Sequence, residues 1–238
     1  MENIGVVLQQ PSYEPTLSVE KSLDKYGMMW NIPRTERKKR MEQLLKDFDL
    51  VKIRKKRNED LSIGQRRRVQ VAREFMHDME LLFLDEPTAG LDPSARRKLL
   101  DYLKNKVKTG LTIFYTTHIL TEAEYLCDQI AIIDKGKIIT VDSPDALKNR
   151  FGKEKTIKIH LLEKQSKISS LLSGILDCKI DFDTGTNIVI HSEQSELVLL
   201  QVLKILNDNS IEVEDLSAMP TNLEEIFLNM VKENASNN

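Results

Sequence analysis

The chain has 238 residues, 40% hydrophobic and 30% charged, with 37 acidic against 35 basic side chains and a net charge of −2. That length and balance suit one or two globular domains, offer no overall reason to expect a nucleic-acid partner, and leave no apolar run long enough to cross a bilayer. Met1-Glu2-Asn3-Ile4 lacks the basic start and apolar core of a signal peptide, and Cys127 and Cys178 lie far apart without metal-ligand spacing, as reduced packing residues do.

Ile4 to Leu8 is a short apolar, β-branched stretch that stops at Gln9-Gln10-Pro11, which predicts a strand running into a polar loop. Residues 34–60 read as polar helix, with Met41, Leu44, Leu45 and Phe48 forming one apolar stripe. Basic clusters at Arg37-Lys38-Lys39-Arg40, Arg54-Lys55-Lys56-Arg57 and Arg66-Arg67-Arg68 alternate with Asp and Glu and carry no aromatics. They read as solvated helix faces. Ser62 with Gln65 three residues on is a capping-box pattern at the start of a helix through Met76. A helix N-terminus with a hydroxyl and a small residue, Gly64, is a ready anion site.

Leu81-Leu82-Phe83-Leu84 then runs straight into Asp85-Glu86. Four apolar residues suit a strand covered on both faces, as in a parallel sheet. Carboxylates at its carboxyl end would sit in the crevice where such sheets bind ligands. Asp92-Pro93 supplies an N-cap and a first-turn proline for the next helix, with Leu99, Leu100, Leu103 and Val107 on its inner side. Leu111 to Thr116 is again a strand, ending at Thr117-His118. A histidine past a strand end is often a surface residue, but the strand order sets this one beside Asp85 and Glu86.

Ile130-Ala131-Ile132-Ile133, Asp134-Lys135-Gly136 and Lys137-Ile138-Ile139 predict a hairpin with a glycine turn. A short helix from Ser143-Pro144-Asp145 runs out near Phe151-Gly152, where a domain boundary is expected. Beyond it, alternating apolar residues at 157–161, 180–182 and 188–190, helical runs near 166–173 and 195–206, a turn at Asp183-Thr184-Gly185 and a last strand at Ile211-Glu212-Val213 predict a β-α-β-β-α-β unit of ferredoxin-like type. Pro220-Thr221-Asn222-Leu223-Glu224 is a second capping box. It precedes an apolar stripe of Leu223, Ile226, Phe227 and Met230.

Taken in order, five of these segments resemble the motifs of ATP-binding cassette (ABC) ATPases. Gln9 matches the Q-loop, Leu61-Ser62-Ile63-Gly64-Gln65 the signature, Leu81–Glu86 the Walker B strand, Ala89-Gly90-Leu91-Asp92 the D-loop and His118 the H-loop. The resemblance implies an α/β, P-loop NTPase-like ABC ATPase core with a helical subdomain over residues 1–152. A small α+β accessory domain would occupy 153–238, similar to that of drug-resistance-type exporters. It implies ATP and Mg²⁺ as cofactors. Asp85 and Gln9 would hold the metal, Glu86 would polarise the attacking water and His118 would bridge to the γ-phosphate. Ser62, Gly64, Gln65 and Asp92 join Gln9 in the nucleotide-contacting set. The implied partners are an integral membrane permease and a second ABC ATPase subunit, identical or not. The implied place is cytoplasmic, on the inner face of the membrane. Ile63 departs from the family's usual second glycine, which alters the loop's shape and keeps both contacting residues.

The resemblance does not extend to Walker A. None of the 9 glycines opens a G-x-x-x-x-G-K-[ST] loop. The expectation is an N-terminally incomplete chain, with a bare apolar edge on the Leu81–Asp85 strand and poor stability for residues 1–150 alone. The alternative function is a non-catalytic regulatory partner that donates the signature to a complete ATPase. A DNA-repair or chromosome-organising ATPase is set aside because no sustained heptads occur.

Overall fold

The computed structural model describes residues 3–10, 12–151, 155–165, 167–175, 178–183 and 185–219, with 223, 224, 226, 227 and 230. Pro11, Gly152, Thr184 and the cap at Pro220-Thr221-Asn222 lie outside the described residues, and with them the expected domain boundary, the second hairpin turn and the second capping box. The chain divides into two compact units, Met1–Leu126 and Cys127–Asn238.

The first unit runs β1 (Ile4–Val7), α1 (Val19–Met29), α2 (Arg34–Asp47), short 3-10 turns at Val51–Ile53 and Asn58–Asp60, α3 (Ile63–Glu74), β2 (Leu81–Asp85), α4 (Pro93–Lys108), β3 (Thr112–Thr116) and α5 (Leu120–Leu126). Local chemistry accounts for the helix ends. Ser62 and Gln65 close a reciprocal capping box on α3, and Asp92 caps α4 ahead of Pro93.

The helix expected over 34–60 stops at Asp47. Asp49 takes a left-handed φ of 53°, and the Leu50 N–H donates back to the Leu45 carbonyl at 2.7 Å, a Schellman end with Leu45 and Leu50 both fully buried. The arginines of the clusters at 37–40 and 54–57 are matched by carboxylates, whereas Arg67 of the third cluster is buried on α3 instead of lying on a solvated face. Arg37 pairs with Asp24, Arg40 with Glu36 and Asp78, and Arg54 with Glu20 and Glu42.

β1, β2 and β3 form a parallel sheet in the order β1-β2-β3, with Val7 opposite Leu84 and Asp85 opposite Thr116. The strand expected to carry a bare edge, Leu81–Asp85, is therefore the central one. Its apolar run is specified by pairing on both sides, and the sheet edges fall to β1 and β3. Cover on both faces is not found either. Leu82 and Leu84 are buried with Val7 on one face, while Val6, Phe83 and Phe114 on the other are 48%, 37% and 60% exposed.

The second unit begins with β4 (Ile130–Asp134) and β5 (Lys137–Asp142), antiparallel across a two-residue turn. Lys135 and Gly136 both have positive φ, as a type I′ turn requires. After α6 (Pro144–Phe151) come β6 (Lys155–Leu161), α7 (Ile168–Leu172), β7 (Lys179–Asp183), β8 (Asn187–Ser192), α8 (Ser195–Asp208) and β9 (Val213–Met219). Their sheet order is β7-β8-β6-β9, with every neighbouring pair antiparallel, the split β-α-β arrangement of a ferredoxin-like unit. Ile157, Ile159, Ile188 and Ile190 pack there with Leu172, Val198, Val202 and Leu206. Leu223, Ile226 and Met230 are also buried. Among the described residues no helix is long and apolar enough to cross a membrane.

Candidate functional site

Parallel strands in register bring their carboxyl ends to one edge, and here three strand ends converge on one carboxylate. Gln9 follows β1, Glu86 follows β2 and His118 follows β3. Gln9 Nε2 donates to Glu86 Oε2 at 3.0 Å, and His118 Nδ1 lies 2.9 Å from Glu86 Oε1. A carboxylate oxygen can only accept, so in this contact Nδ1 carries the proton. These contacts, His118 first and then Gln9, hold the Glu86 carboxyl below the usual range. It is therefore ionised at neutral pH.

Glu86 has a φ of 44°, a left-handed conformation that a non-glycine residue rarely keeps without support. Thr116 supplies that support. Its carbonyl and its hydroxyl oxygen accept from Glu86 N at 3.1 and 3.3 Å, while its hydroxyl donates to Asp85 Oδ1 at 2.5 Å. One threonine thus sets both neighbouring carboxylates. His118 is 73% and Glu86 26% exposed, so the cluster opens to solvent.

Ser62, Gly64, Gln65 and Asp92 lie outside this cluster and serve helix ends. Ser62 Oγ accepts from Gln65 N at 3.2 Å, and Gln65 Oε1 accepts from Ser62 N at 3.1 Å. The Ser62 hydroxyl keeps its own hydrogen to donate. A Cβ on Gly64 would come within 2.7 Å of the Gly90 carbonyl, so the loops at 64 and 90 approach as closely as only glycine permits. Ile63, at the departure from the family pattern, is 63% exposed and lies over Gly90. Asp92 Oδ1 accepts from Ser94 N and Ala95 N at 3.1 and 3.0 Å, which with Ala95 foremost lowers its pKa.

Sequence reasoning missed Glu122. Its side chain is 2% exposed and accepts from Thr88 Oγ1 at 3.0 Å, Tyr115 Oη at 2.6 Å and Thr117 Oγ1 at 3.1 Å, with Arg96 Nε 3.3 Å from its other oxygen. It ties the loop after Glu86 to the loop before His118. Its spacing of four residues from His118 was the available signal.

Among the described residues no three His, Cys, Asp or Glu side chains converge as a metal cage. Asp85 keeps an oxygen beyond the one taken by Thr116, and Gln9, donating through nitrogen, keeps its amide oxygen. One carboxylate and one amide oxygen fit Mg²⁺, which takes few protein ligands and fills its shell from water and phosphate.

The class so defined is an α/β protein with an acidic, amide- and imidazole-gated site at the carboxyl edge of a parallel sheet. Comparison with known proteins narrows it. Residues 1–89 match the model of the ABC transporter family. The linearmycin resistance ATP-binding protein of Bacillus subtilis (strain 168) is 31% identical over 239 aligned positions, covering 96% of this chain and 74% of that protein. A daunorubicin resistance ATP-binding protein of Streptomyces coeruleorubidus is 29% identical, over 98% of this chain and 73% of its own length. A solved structure described as the ATP-binding subunit of an ABC transporter superposes with a TM-score of 0.58 at 27% identity, covering 63% of each chain. This chain belongs to the ATP-binding subunits of ABC transporters, of the drug-resistance exporter type.

Proposed function

We propose that the chain hydrolyses ATP within a subunit dimer and powers a membrane exporter through a separate permease. The convergence of Gln9 and His118 on an ionised Glu86 carries this reading. A carboxylate offers about four lone-pair positions. Gln9 and His118 occupy one on each oxygen, which leaves acceptor capacity for a water. Glu86 takes the proton of that water as its oxygen attacks the γ-phosphorus and the bond to the ADP oxygen breaks. His118, fixed through Nδ1, turns its other nitrogen to solvent and the transferring phosphoryl group. Mg²⁺, held by Asp85 and the Gln9 amide oxygen, would supply charge neutralisation on the phosphates. Ser62 and the Gly64 backbone, at the start of α3, would offer donors to the γ-phosphate of ATP held by the second subunit. We assign residues 153–238 as the accessory domain and place the assembly on the inner face of the membrane.

The test is turnover of the assembled transporter with Glu86→Gln. A general base contributes about 10²–10⁴ in rate, so kcat should fall by that factor while ATP binding persists. Equal loss of binding and turnover would refute the base role. Unchanged turnover would favour the non-catalytic partner.

A further inference from the structure

Three side chains of one helix hold the main chain of the Q-loop. Arg67, on α3, donates through Nη1 to the Leu8 carbonyl at 2.8 Å and through Nη2 to the Gln9 carbonyl. Gln70, one turn on, donates to the Leu8 and Gln10 carbonyls at 3.2 and 3.4 Å. Arg73 donates to the Ser12 carbonyl at 3.1 Å and to its hydroxyl at 2.9 Å. Arg67, Gln70 and Arg73 stand at i, i+3 and i+6 and are 3%, 3% and 9% exposed. They form one buried polar face that grips the main chain of Leu8, Gln9, Gln10 and Ser12.

Among the described residues, the hydrogen-bond acceptors of Arg67 are carbonyls and the Gln70 amide oxygen, 3.0 Å away, and none is a carboxylate. A buried guanidinium with neutral acceptors still needs counter-charge. Asp85 and Glu86 provide it at longer range, opposing the effect of burial on Arg67. The arginine therefore bonds to the backbone that aims Gln9 and is drawn to Asp85 and to Glu86, the carboxylate that Gln9 meets.

We propose that Arg67 is a positioning residue that makes the signature-bearing helix α3 and the Gln9 side chain one mechanical unit, so that a shift of α3 is felt at Glu86. This rests on the hydrolytic reading of Glu86, but its geometry can be tested without nucleotide. The measurement is the side-chain amide resonance of Gln9 in the full chain, compared in six forms: parent, Arg67→Met and Arg67→Lys, each with and without Glu86→Gln. In the parent, Glu86→Gln should move the Gln9 amide signal, because its acceptor changes. In Arg67→Met, Gln9 should already resonate as a solvent-exposed amide and stop responding to Glu86→Gln. Backbone exchange at Gln9 and Gln10 should rise about tenfold while β2 is unchanged. Arg67→Lys, which keeps charge and one donor direction, should restore part of the response.

A Gln9 amide in Arg67→Met that keeps both its parental shift and its response to Glu86→Gln overturns the proposal. If Arg67→Met does not fold, Gln70→Leu removes the flanking contacts to the Leu8 and Gln10 carbonyls and the acceptor it offers Arg67, and must give the same loss of response in weaker form, or the proposal fails. No response to Glu86→Gln in the parent chain would strike at the Gln9–Glu86 contact itself, and so at the hydrolytic reading, independently of Arg67.

Discussion

Replacing Glu122 with Gln keeps the side-chain shape and removes one charge from a site where three hydroxyls donate to a single oxygen, Glu122 Oε2. If the amide oxygen takes that place, all three donors keep an acceptor, but each bond changes from charge-assisted to neutral. That difference is about 1 kcal/mol per bond, so the expected loss of stability is about 3 kcal/mol. The Arg96 contact at 3.3 Å adds little, because Arg96 is 36% exposed. Urea unfolding followed by the fluorescence of Trp30, the single tryptophan and a residue of the first unit, reads this directly. With a slope of about 1–3 kcal/mol/M, the midpoint should fall by about 1–3 M at unchanged slope. A Thr88→Val change should cost less in the Glu122→Gln background than in the parent, because the two share the bond. A loss below about 1 kcal/mol, or strict additivity with Thr88→Val, would refute the view that charge at Glu122 organises the loops flanking Glu86 and His118.

Three further outcomes are expected. His77 is 4% exposed, stacked on Trp30 at a ring-centroid distance of 3.9 Å, and burial lowers its pKa from 6.5. Below 6.5 the unfolded chain binds the proton more readily than the folded one, so stability should fall as pH drops through that window, and His77→Phe should flatten the fall. An equal slope in parent and variant, from about pH 7.5 to about pH 5.5, would count against it. Gly64→Ala should cost about 1–3 kcal/mol in urea unfolding, since its Cβ meets the Gly90 carbonyl at 2.7 Å; a neutral result would mean that the loop yields freely. Phe114→Ser, at a side chain 60% exposed, should leave the Trp30 transition in place while reducing binding of a hydrophobic dye to the chain. Undiminished dye binding would place the reactive apolar surface elsewhere.

Features that depend on neighbours in sequence were legible before the structure. Ser62 and Gln65 close their box, Asp92 and Pro93 open α4, and the Lys135-Gly136 turn joins β4 to β5, because each is decided within a few residues. The same holds for the alternation that builds β6, β7 and β8, whereas the last strand, expected over 211–213, begins only at Val213 and runs to Met219. Helix α1 escaped notice because Ser22, one of its four buried positions Val19, Ser22, Leu23 and Gly27, is polar, and because its cap, Ser18, is followed by no acidic or amide residue at the third position. The bare edge expected on β2 follows from the resemblance, which sets a Walker A strand beside it; the strands that flank it are β1 and β3, and a local apolar run does not name a strand's neighbours.

The buried charges were harder still. Arg67 reads as one of three surface arginines and Glu122 as one acid among many, since such residues are almost never fully buried unless paired. What buries them is partners: Glu122 takes Thr88 from 34 residues away, and Arg67 takes the Leu8 carbonyl from 59. Periodicity is read in windows of about 11–18 residues. A charge specified by groups two to five such windows distant looks solvated to any such reading. That is why Arg67 and Glu122 escape a reading that singles out Gln9, Glu86 and His118, the three side chains that the strand ends bring together.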